Sequence, residues 1–405
     1  MSFTSRWGDV WLAAVARAVS SCGDFLAATA LALALQQAGR GGLAVSGLLI
    51  AASLPVTMLG SVAGRIADRL DSRRILVVTG LAQATVCVVL AYVGDPILII
   101  GLVALLACGL AVTGPTLAAL LPDMVGKNDL ARAGGLQQSA NMIGLLAAPA
   151  LAGILVGRFG LRVPLLLDAF SYLALVAAGM LLRTRRRGAS AGDAPRVGAW
   201  RLRADPLVFV MVVAVATAVA GVSAINVVEL FFIRETLAAS TTMFGLIAMA
   251  WSAGMLVGAL AFGQLGGRWS DPAALVRGVL ALLAGTCLPV LAGAGVSDAA
   301  LLLPLWVAGG FCNGGINVLI AVVFAHRVPA AARGRAFAVL GAAVQGANLG
   351  GFLLGGVLVG PVAPRILMVA CGVAGLVAVL GCLPAVRRAA RPARNGAGVE
   401  IASET

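Results

Sequence analysis

The sequence predicts an all-α membrane protein with twelve transmembrane helices arranged as two six-helix bundles. Three observations lead to this fold class. Of the 405 residues, 61% are apolar and only 11% are charged, whereas an ordinary soluble domain is about 45–50% apolar. Apolar runs long enough to cross a bilayer, which takes about 20 residues, recur twelve times. The charged residues lie mainly at the ends of these runs. A soluble enzyme is therefore excluded.

Each predicted span is an apolar run that ends at charged residues, proline or a short polar turn. In the first half the runs cover 11–37, 43–64, 74–93, 97–121, 134–157 and 163–182. In the second half they cover 207–232, 242–265, 273–294, 299–325, 334–359 and 363–385. Only Ser297 and Asp298 separate the ninth run from the tenth, so that boundary has the weakest punctuation.

The basic residues predict the orientation. With the amino terminus inside the cell, 23 basic residues fall in inner segments and Arg17 falls within the first span. Outer segments then hold only Arg40, Arg158, Arg162, Arg234 and Arg365. Because basic residues are enriched in cytoplasmic loops, we expect both termini to be cytoplasmic. The expected location is the inner (plasma) membrane of the cell.

The longest connection divides the chain near its midpoint. Residues 183–206 are basic and rich in small residues, which is typical of a cytoplasmic linker. The segment is either a plain solvated linker that also sets the topology or one that lies on anionic headgroups. We therefore expect an amino-terminal bundle over 1–182, a carboxy-terminal bundle over 207–388 and a cytoplasmic tail over 389–405.

The two halves carry traces of an internal repeat. LAGILVG at 151–157 matches LGGVLVG at 354–360, an offset of 203 residues, and Arg132 aligns with Arg335 at the same offset. Parallel repeats related by an axis along the membrane normal are one known transporter construction, with the substrate site near the midplane between the halves.

Other functional classes find little support in the composition. The net charge of +13 would suggest nucleic acid in a soluble protein, but here it sets orientation, so no nucleic-acid partner is expected. The seven cysteines lie in or at the ends of apolar runs without a C-x-x-C pair, which predicts no metal, disulfide or cofactor. With one histidine and no phosphate-binding loop, neither an enzyme nor an ATP-driven pump is expected.

The loop after the second span carries the most specific motif. It reads GRIADRLDSRR over 64–74 and resembles the G-x-x-x-D-R-x-G-R-R signature of the major facilitator superfamily, with Asp71 and Ser72 departing from the pattern. The resemblance implies the major facilitator fold and a cytoplasmic gate whose arginines meet an acid after the fourth span. The alternative is a set of ordinary topology charges. The gate residues would be Gly64, Asp68, Arg69, Arg73, Arg74 and Asp123.

The fifth span resembles the antiporter signature of the same superfamily. That signature is G-x8-G-x3-G-P-x2-G-G, and the span matches it at Gly135, Gly144, Pro149 and Gly153, with alanine at two glycine positions. Small residues at this spacing allow close helix contact, and the proline permits a bend. In the family this motif accompanies export by antiport. The alternative is a generic packing face.

Three more segments, ARAVSSCGDFL, VPLLLDAFSYL and VPAAARGRAF, look like the drug–proton antiporters that include macrolide and enterobactin exporters. The resemblance implies a secondary active transporter that exports a small amphipathic molecule, such as a drug, siderophore or secondary metabolite, in exchange for protons. We expect it to be a monomer in the lipid bilayer that works by alternating access. An uptake symporter or uniporter on the same fold stays open. So does a non-transporting membrane partner protein.

Charged residues inside the bilayer are functional candidates by default. Asp24 lies about 20 Å along the first helix from Trp11, so its short side chain does not reach either surface. Desolvation favours its neutral form, which is the property a proton carrier needs; the alternative is a polar contact that packs the helix. Arg17 either lines the cavity or extends to the inner surface.

The second half supplies the remaining candidates. Glu229 lies on one helix face with Ser223 and Asn226 and is either a coupling residue or an interfacial charge. Asn313 and Asn317 share a face of the tenth span and line a cavity or bond helices together. For Asp168 we expect a structural role, paired with Arg158 or Arg162.

Overall fold

The computed structural model describes residues 6–126, 129–184, 202–265, 271–329 and 332–389, and its regular elements are all helical. The first half contains six helices: α1 (Trp7–Gln37), α2 (Gly41–Arg69), α3 (Ser72–Leu90), α4 (Pro96–Met124), α5 (Leu130–Phe159) and α6 (Arg162–Leu181). The second half contains α7 (Pro206–Val222), α8 (Ile225–Phe231), α9 (Thr241–Leu265), α10 (Pro272–Ala294), α11 (Leu302–Arg327), α12 (Arg333–Leu358) and α13 (Pro364–Ala389).

Twelve helical segments in the described part of the chain are long and apolar enough to cross a membrane. The predicted count is confirmed, and most ends differ from the prediction by a few residues. One span departs from the expected single helix: α7, α8 and a π-helical turn over Phe232–Thr236 together make the seventh crossing. The predicted linker 183–206 and tail 389–405 lie largely outside the described residues.

Several spans begin at an Asp-Pro pair, which explains why their starts were predictable. Asp95, Asp205 and Asp271 are N-cap residues whose carboxylates accept hydrogen bonds from the next free backbone N–H groups. The following proline takes the first helical position, where no N–H is needed. Each pair therefore fixes the point at which the chain enters a helix.

The two halves pack in the same pattern. In the first half α1 packs on α5 and α6, α2 on α4, and α3 on α4 and α6. In the second half α7 packs on α12 and α13, α9 on α11, and α10 on α11 and α13. Counted as spans, the same pairs form in both bundles, as expected of the internal repeat.

The halves are joined mainly by α5 with α9 and by α2 with α12. Their closest contacts lie where α1 and α5 end and α2 and α9 begin, which we call the closed end. A Cβ on Gly153 would overlap the Thr241 carbonyl oxygen, and a Cβ on Gly42 would lie 2.6 Å from the Gly356 carbonyl oxygen. Glycine at these positions therefore permits direct backbone contact between the bundles.

At the opposite end each half is bonded to itself. In the first half the Asp9 carboxylate accepts hydrogen bonds from the Thr184 backbone N–H (2.9 Å) and hydroxyl (2.7 Å). In the second half the Asp205 carboxylate accepts two hydrogen bonds from the Arg327 guanidinium, at 2.8 and 3.1 Å. These contacts stabilise each bundle as a unit.

Large apolar side chains cover the outer surface of the bundles. Ile97, Phe170 and Met58 are 79%, 73% and 69% exposed, and Ile366 and Leu380 belong to the same surface. A soluble protein rarely shows apolar patches of this extent, so this surface is the one that faces lipid. The protein is an integral, multi-pass membrane protein.

Candidate functional site

A cavity of about 500 Å³ lies between the two halves. The first half contributes Phe25, Leu145 and Pro149, and the rest of the wall comes from the second half. A volume of this size is in the range of small-molecule sites, which is about 300–1,000 Å³. Its polar and aromatic lining residues include Ser223, Asn226, Glu229, Phe244, Trp251, Ser252, Thr286, Trp306, Asn313 and Asn348.

The break in the seventh span shapes this cavity. The α7 helix ends before Ser223, whose hydroxyl donates a hydrogen bond to the Ala347 carbonyl of α12 at 3.1 Å. The Asn226 side-chain amide donates back to the Ser223 carbonyl at 2.9 Å. The side chains at the break satisfy its backbone and tie it to α12, as irregular backbone at membrane depth requires. The break places Asn226 and Glu229 on the cavity wall.

Glu229 is the acidic residue of the cavity wall. The Trp306 indole N–H donates a hydrogen bond of 2.8 Å to its Oε1. Trp306 itself is almost fully buried in α11, so the donor is held in place by packing. The prediction that Glu229 and Asn226 share a face is consistent with this placement.

Asp24 lies in a different place, a pocket of about 70 Å³ within the first half. The Tyr172 hydroxyl of α6 donates a hydrogen bond to Asp24 Oδ1. Asp168 lines the same pocket and accepts hydrogen bonds from the Cys87 thiol at 3.1 Å and the Ser171 hydroxyl at 3.0 Å. Two carboxyl groups, the half-buried Asp24 of α1 and the buried Asp168 of α6, thus line one small pocket.

The expectation that Asp168 pairs with Arg158 or Arg162 is wrong. Asp168 is completely buried among α1, α3 and α6, whereas Arg162 lies over the Tyr92 ring with its guanidinium carbon 5.3 Å from the ring centroid. Depth along a helix was estimated from the sequence, but the helix rotation that turns Asp168 inward was not. A signal was present, because Asp168, Ser171 and Tyr172 repeat at a spacing of three and four on one face.

The remaining polar candidates separate into cavity and non-cavity residues. Asn313 lines the cavity. Asn317 is exposed, and its amide donates to the Asn313 carbonyl at 3.1 Å. Arg17 is half-buried, and its Nη1 lies 3.9 Å from where a Cβ on Gly114 would be, so it reaches towards α4 within the first half.

The predicted gate residues lie at the end opposite to the closed end. Gly64 and Asp68 fall in the last turns of α2, and Arg69 ends the helix; the Asp68 side chain lies outside the described structure. Asp71 caps α3 by accepting from the Arg73 backbone N–H at 2.8 Å. Arg74 and Asp123 are exposed. Among described side chains, the arginines of this loop form no ion pair with Asp123 in this conformation.

The residues of the antiporter-like motif pack on two different helices. A Cβ on Gly144 would lie 2.5 Å from the Ala18 carbonyl oxygen of α1, and Gly153 contacts α9. Pro149 lines the cavity, and its carbonyl oxygen meets Gly245 of α9. Gly135 has open space around it. The motif thus supplies part of the junction between the halves.

The sequence analysis did not identify Trp251 and Trp306 as cavity residues. It also did not predict that Tyr172 and Asp168 lie beside Asp24. Trp251 and Trp306 lie in apolar runs, where aromatic residues ordinarily belong to the core. The described residues contain no group of three or more His, Cys, Asp or Glu side chains arranged to hold a metal ion. The seven cysteines are all free thiols.

Among solved structures, the chain resembles a bacterial homologue of the human lysosomal transporter Spinster in an inward-facing, unoccupied conformation (14% identity, TM-score 0.72, 96% of this chain and 97% of that chain). It also resembles the nucleoside transporter NupG (13%, 0.75, 93% and 99%) and a bacterial homologue of the iron transporter ferroportin in the inward-facing state (14%, 0.74, 96% and 100%). These likenesses establish the fold.

A sequence search of curated proteins gives no match. The family model described as transmembrane secretion effector matches residues 5–395, nearly the whole chain. The protein therefore belongs to the transmembrane secretion effector family of the major facilitator superfamily and is a membrane transporter of that type.

Proposed function

We propose that the protein is a proton-coupled antiporter that exports a small amphipathic molecule by alternating access. The observation that carries this proposal is the separation of two sites: a ligand-sized cavity between the halves, and a pair of carboxyl groups that line a much smaller pocket within the first half. A coupled exporter needs both a place for cargo and a place for protons, and their occupancy must favour different conformations.

The junction between the halves supports alternating access. At the closed end the bundles touch through glycine backbone and small side chains, including Gly153 with Thr241 and Gly356 with Ser46. The side-chain hydrogen bonds between the halves there include an exposed one from Gln36 to Glu235 (3.1 Å) and a half-buried one from Arg234 to Gln36 (3.4 Å). Single hydrogen bonds of this kind each contribute little net stability, which supports rocking of the two bundles about this junction.

The Asp24–Asp168 cluster supports proton coupling. A carboxyl group within a helix bundle is stable when it is neutral or well hydrogen-bonded, and two such groups lining one small pocket disfavour the doubly charged state. Uptake or loss of a proton here changes the charge between α1 and α6. Because α1 also packs on α5, which joins the other half through α9, that change has a structural route to the junction.

Two observations support export as the proposed direction: the description of the family, transmembrane secretion effector, and the antiporter-like fifth span. Within this proposal the bundles are 1–182 and 207–388, both termini are cytoplasmic, and the protein lies in the plasma membrane as a monomer. A carboxy-terminal fusion to green fluorescent protein, which is fluorescent when made in the cytoplasm, tests the orientation.

The first experiment is an accumulation assay in a bacterial strain that lacks its own exporters. The probes are two amphipathic cations, ethidium and erythromycin, and one anion, an iron-loaded catecholate siderophore. Expression of the wild-type chain should lower accumulation of at least one probe. The Asp24→Asn variant should lose the effect, whereas Asp298→Asn, which keeps an N-cap residue at an exposed helix start, should retain it.

The second experiment uses proteoliposomes and the probe that responds. Its flux should follow an imposed pH gradient and should fall to the background when nigericin collapses that gradient. Flux that is the same with and without the gradient would contradict proton coupling. Net movement into cells that express the protein would instead establish the alternative, an uptake symporter or uniporter.

A further inference from the structure

The described lining of the central cavity includes an acidic residue but no basic one. Among the described residues that line it, Glu229 is the acidic one, and arginine, lysine and histidine are absent. The nearest basic candidate from the sequence, Arg17, reaches towards α4 instead. Arg234, on the same span as Glu229, donates its hydrogen bonds to Gln36 and the Ala239 carbonyl at the closed end. The cavity thus offers a bound molecule a carboxylate and no counter-cation.

Glu229 is also incompletely satisfied by the protein. Its Oε1 accepts the Trp306 N–H at 2.8 Å, but its other oxygen has no hydrogen-bond partner among the described residues. Asp168 of the first half differs, because it accepts from two donors, Cys87 and Ser171, whereas Asp24 accepts from one, Tyr172. A carboxylate with a free oxygen at a cavity wall is complementary to a cationic ligand group.

The remaining wall fits the body of an amphipathic cation. Four aromatic side chains, Phe25, Phe244, Trp251 and Trp306, line the cavity, and aromatic faces attract cations as well as apolar surface. The amide side chains of Asn226, Asn313 and Asn348 supply neutral acceptors.

We propose that the central cavity selects amphipathic organic cations, with Glu229 as the group that recognises the positive charge. The role of this selectivity in transport rests on the proposed function. The binding preference itself is argued only from the residues that line the cavity. Organic anions, including catecholate siderophores, are excluded as substrates because they would face the carboxylate without a compensating charge. Exclusion of like charge is a recognised source of specificity.

The test is equilibrium binding to the purified full-length protein in detergent, with two probes of nearly equal size and shape. Tetraphenylphosphonium carries a permanent positive charge and tetraphenylborate a permanent negative charge, so neither changes its charge with pH. Quenching of tryptophan fluorescence reports binding, and protein-free detergent gives the partition background. We expect tetraphenylphosphonium to bind at least about tenfold more tightly than tetraphenylborate.

The Glu229→Gln variant isolates the carboxylate. It should weaken tetraphenylphosphonium binding by about tenfold or more and remove the preference between the two probes. Asp298→Asn, which removes an exposed carboxylate outside the cavity, should bind both probes like the wild type. The wild-type comparison of the two probes needs no variant, so the proposal is tested even where Glu229→Gln does not fold.

Equal or tighter binding of tetraphenylborate by the wild type would overturn the inference, and so would an unchanged preference in Glu229→Gln. These outcomes are separate from those for the proposed function. A protein that prefers the cation in detergent but shows no gradient-dependent flux keeps the selectivity and loses the antiport mechanism. A protein that exports the siderophore against a gradient keeps antiport and loses the selectivity.

Discussion

The two acidic sites of the protein differ in the size of the space that their carboxyl groups line. Asp24 and Asp168, in the first half, meet Tyr172, Cys87 and Ser171 in a pocket of about 70 Å³. Glu229, in the second half, has one protein donor and borders a cavity of about 500 Å³. A pocket of about 70 Å³ is too small for an organic ligand of drug size. In the function proposed above, protons therefore use the first site and cargo uses the second.

The contrast also shows how two similar bundles diverge. The halves repeat the same helix pairs, and their fifth spans make equivalent glycine contacts across the junction at Gly153 and Gly356. Yet the break at Ser223, which brings Glu229 to the cavity, divides the seventh span, whereas α1 is one continuous helix. In the proposed function, this local difference between the repeats gives the two halves different roles.

The largest effect is expected from Gly23→Ala, which tests whether the first-half cluster is tightly built. A Cβ here would overlap Asp168 Oδ1 and the Ser171 hydroxyl oxygen. Overpacking together with loss of a buried hydrogen bond costs about 2–5 kcal/mol. The apparent unfolding temperature in detergent should fall and ethidium export should be lost. Gly8→Ala, on the same helix with open space around it, should match the wild type; equal behaviour of the two variants would argue against the cluster.

Asp24→Asn tests the assignment of protons to the first half. Proton-driven ethidium flux in proteoliposomes should fall by about tenfold or more, since coupling free energies commonly correspond to about 5–150-fold. Tetraphenylphosphonium binding should change by less than about twofold, because Asp24 lies outside the cavity. If Asp24→Asn lost tetraphenylphosphonium binding together with ethidium flux, the result would show one shared site and contradict the assignment of two.

Tyr172→Phe removes the donor to Asp24 without removing a charge. We expect a smaller change than for Asp24→Asn, because one hydrogen bond contributes about 0.5–1.5 kcal/mol. The pH at which ethidium flux is half-maximal should shift, while tetraphenylphosphonium affinity should not. A shift in affinity with an unchanged flux profile would show that Tyr172 serves the cavity instead.

Trp306→Phe is the matched change at Glu229 and is expected to have the smallest effect. It removes the N–H donor and keeps an aromatic ring and the carboxylate. Tetraphenylphosphonium affinity should change by about threefold, and the preference over tetraphenylborate should persist. Complete loss of that preference would assign charge recognition to the tryptophan rather than to Glu229.

The sequence was sufficient for the spans because their ends carry local signals, such as Asp95, Asp205 and Asp271, each followed by proline. It also placed Glu229 and Asn226 on one face. It did not predict that Asp24 and Asp168 meet, because that contact depends on how α1 and α6 rotate against each other. Nor did it predict the break at Ser223, whose stabilising partner, the Ala347 carbonyl, is more than a hundred residues away.

The division of roles is tested most directly by following lumenal pH in proteoliposomes while an ethidium gradient is imposed. The wild type should move protons in the direction opposite to ethidium, Asp298→Asn should do the same, and Asp24→Asn should bind ethidium without moving protons. Ethidium movement that leaves lumenal pH unchanged, or proton movement that persists in Asp24→Asn, would contradict it.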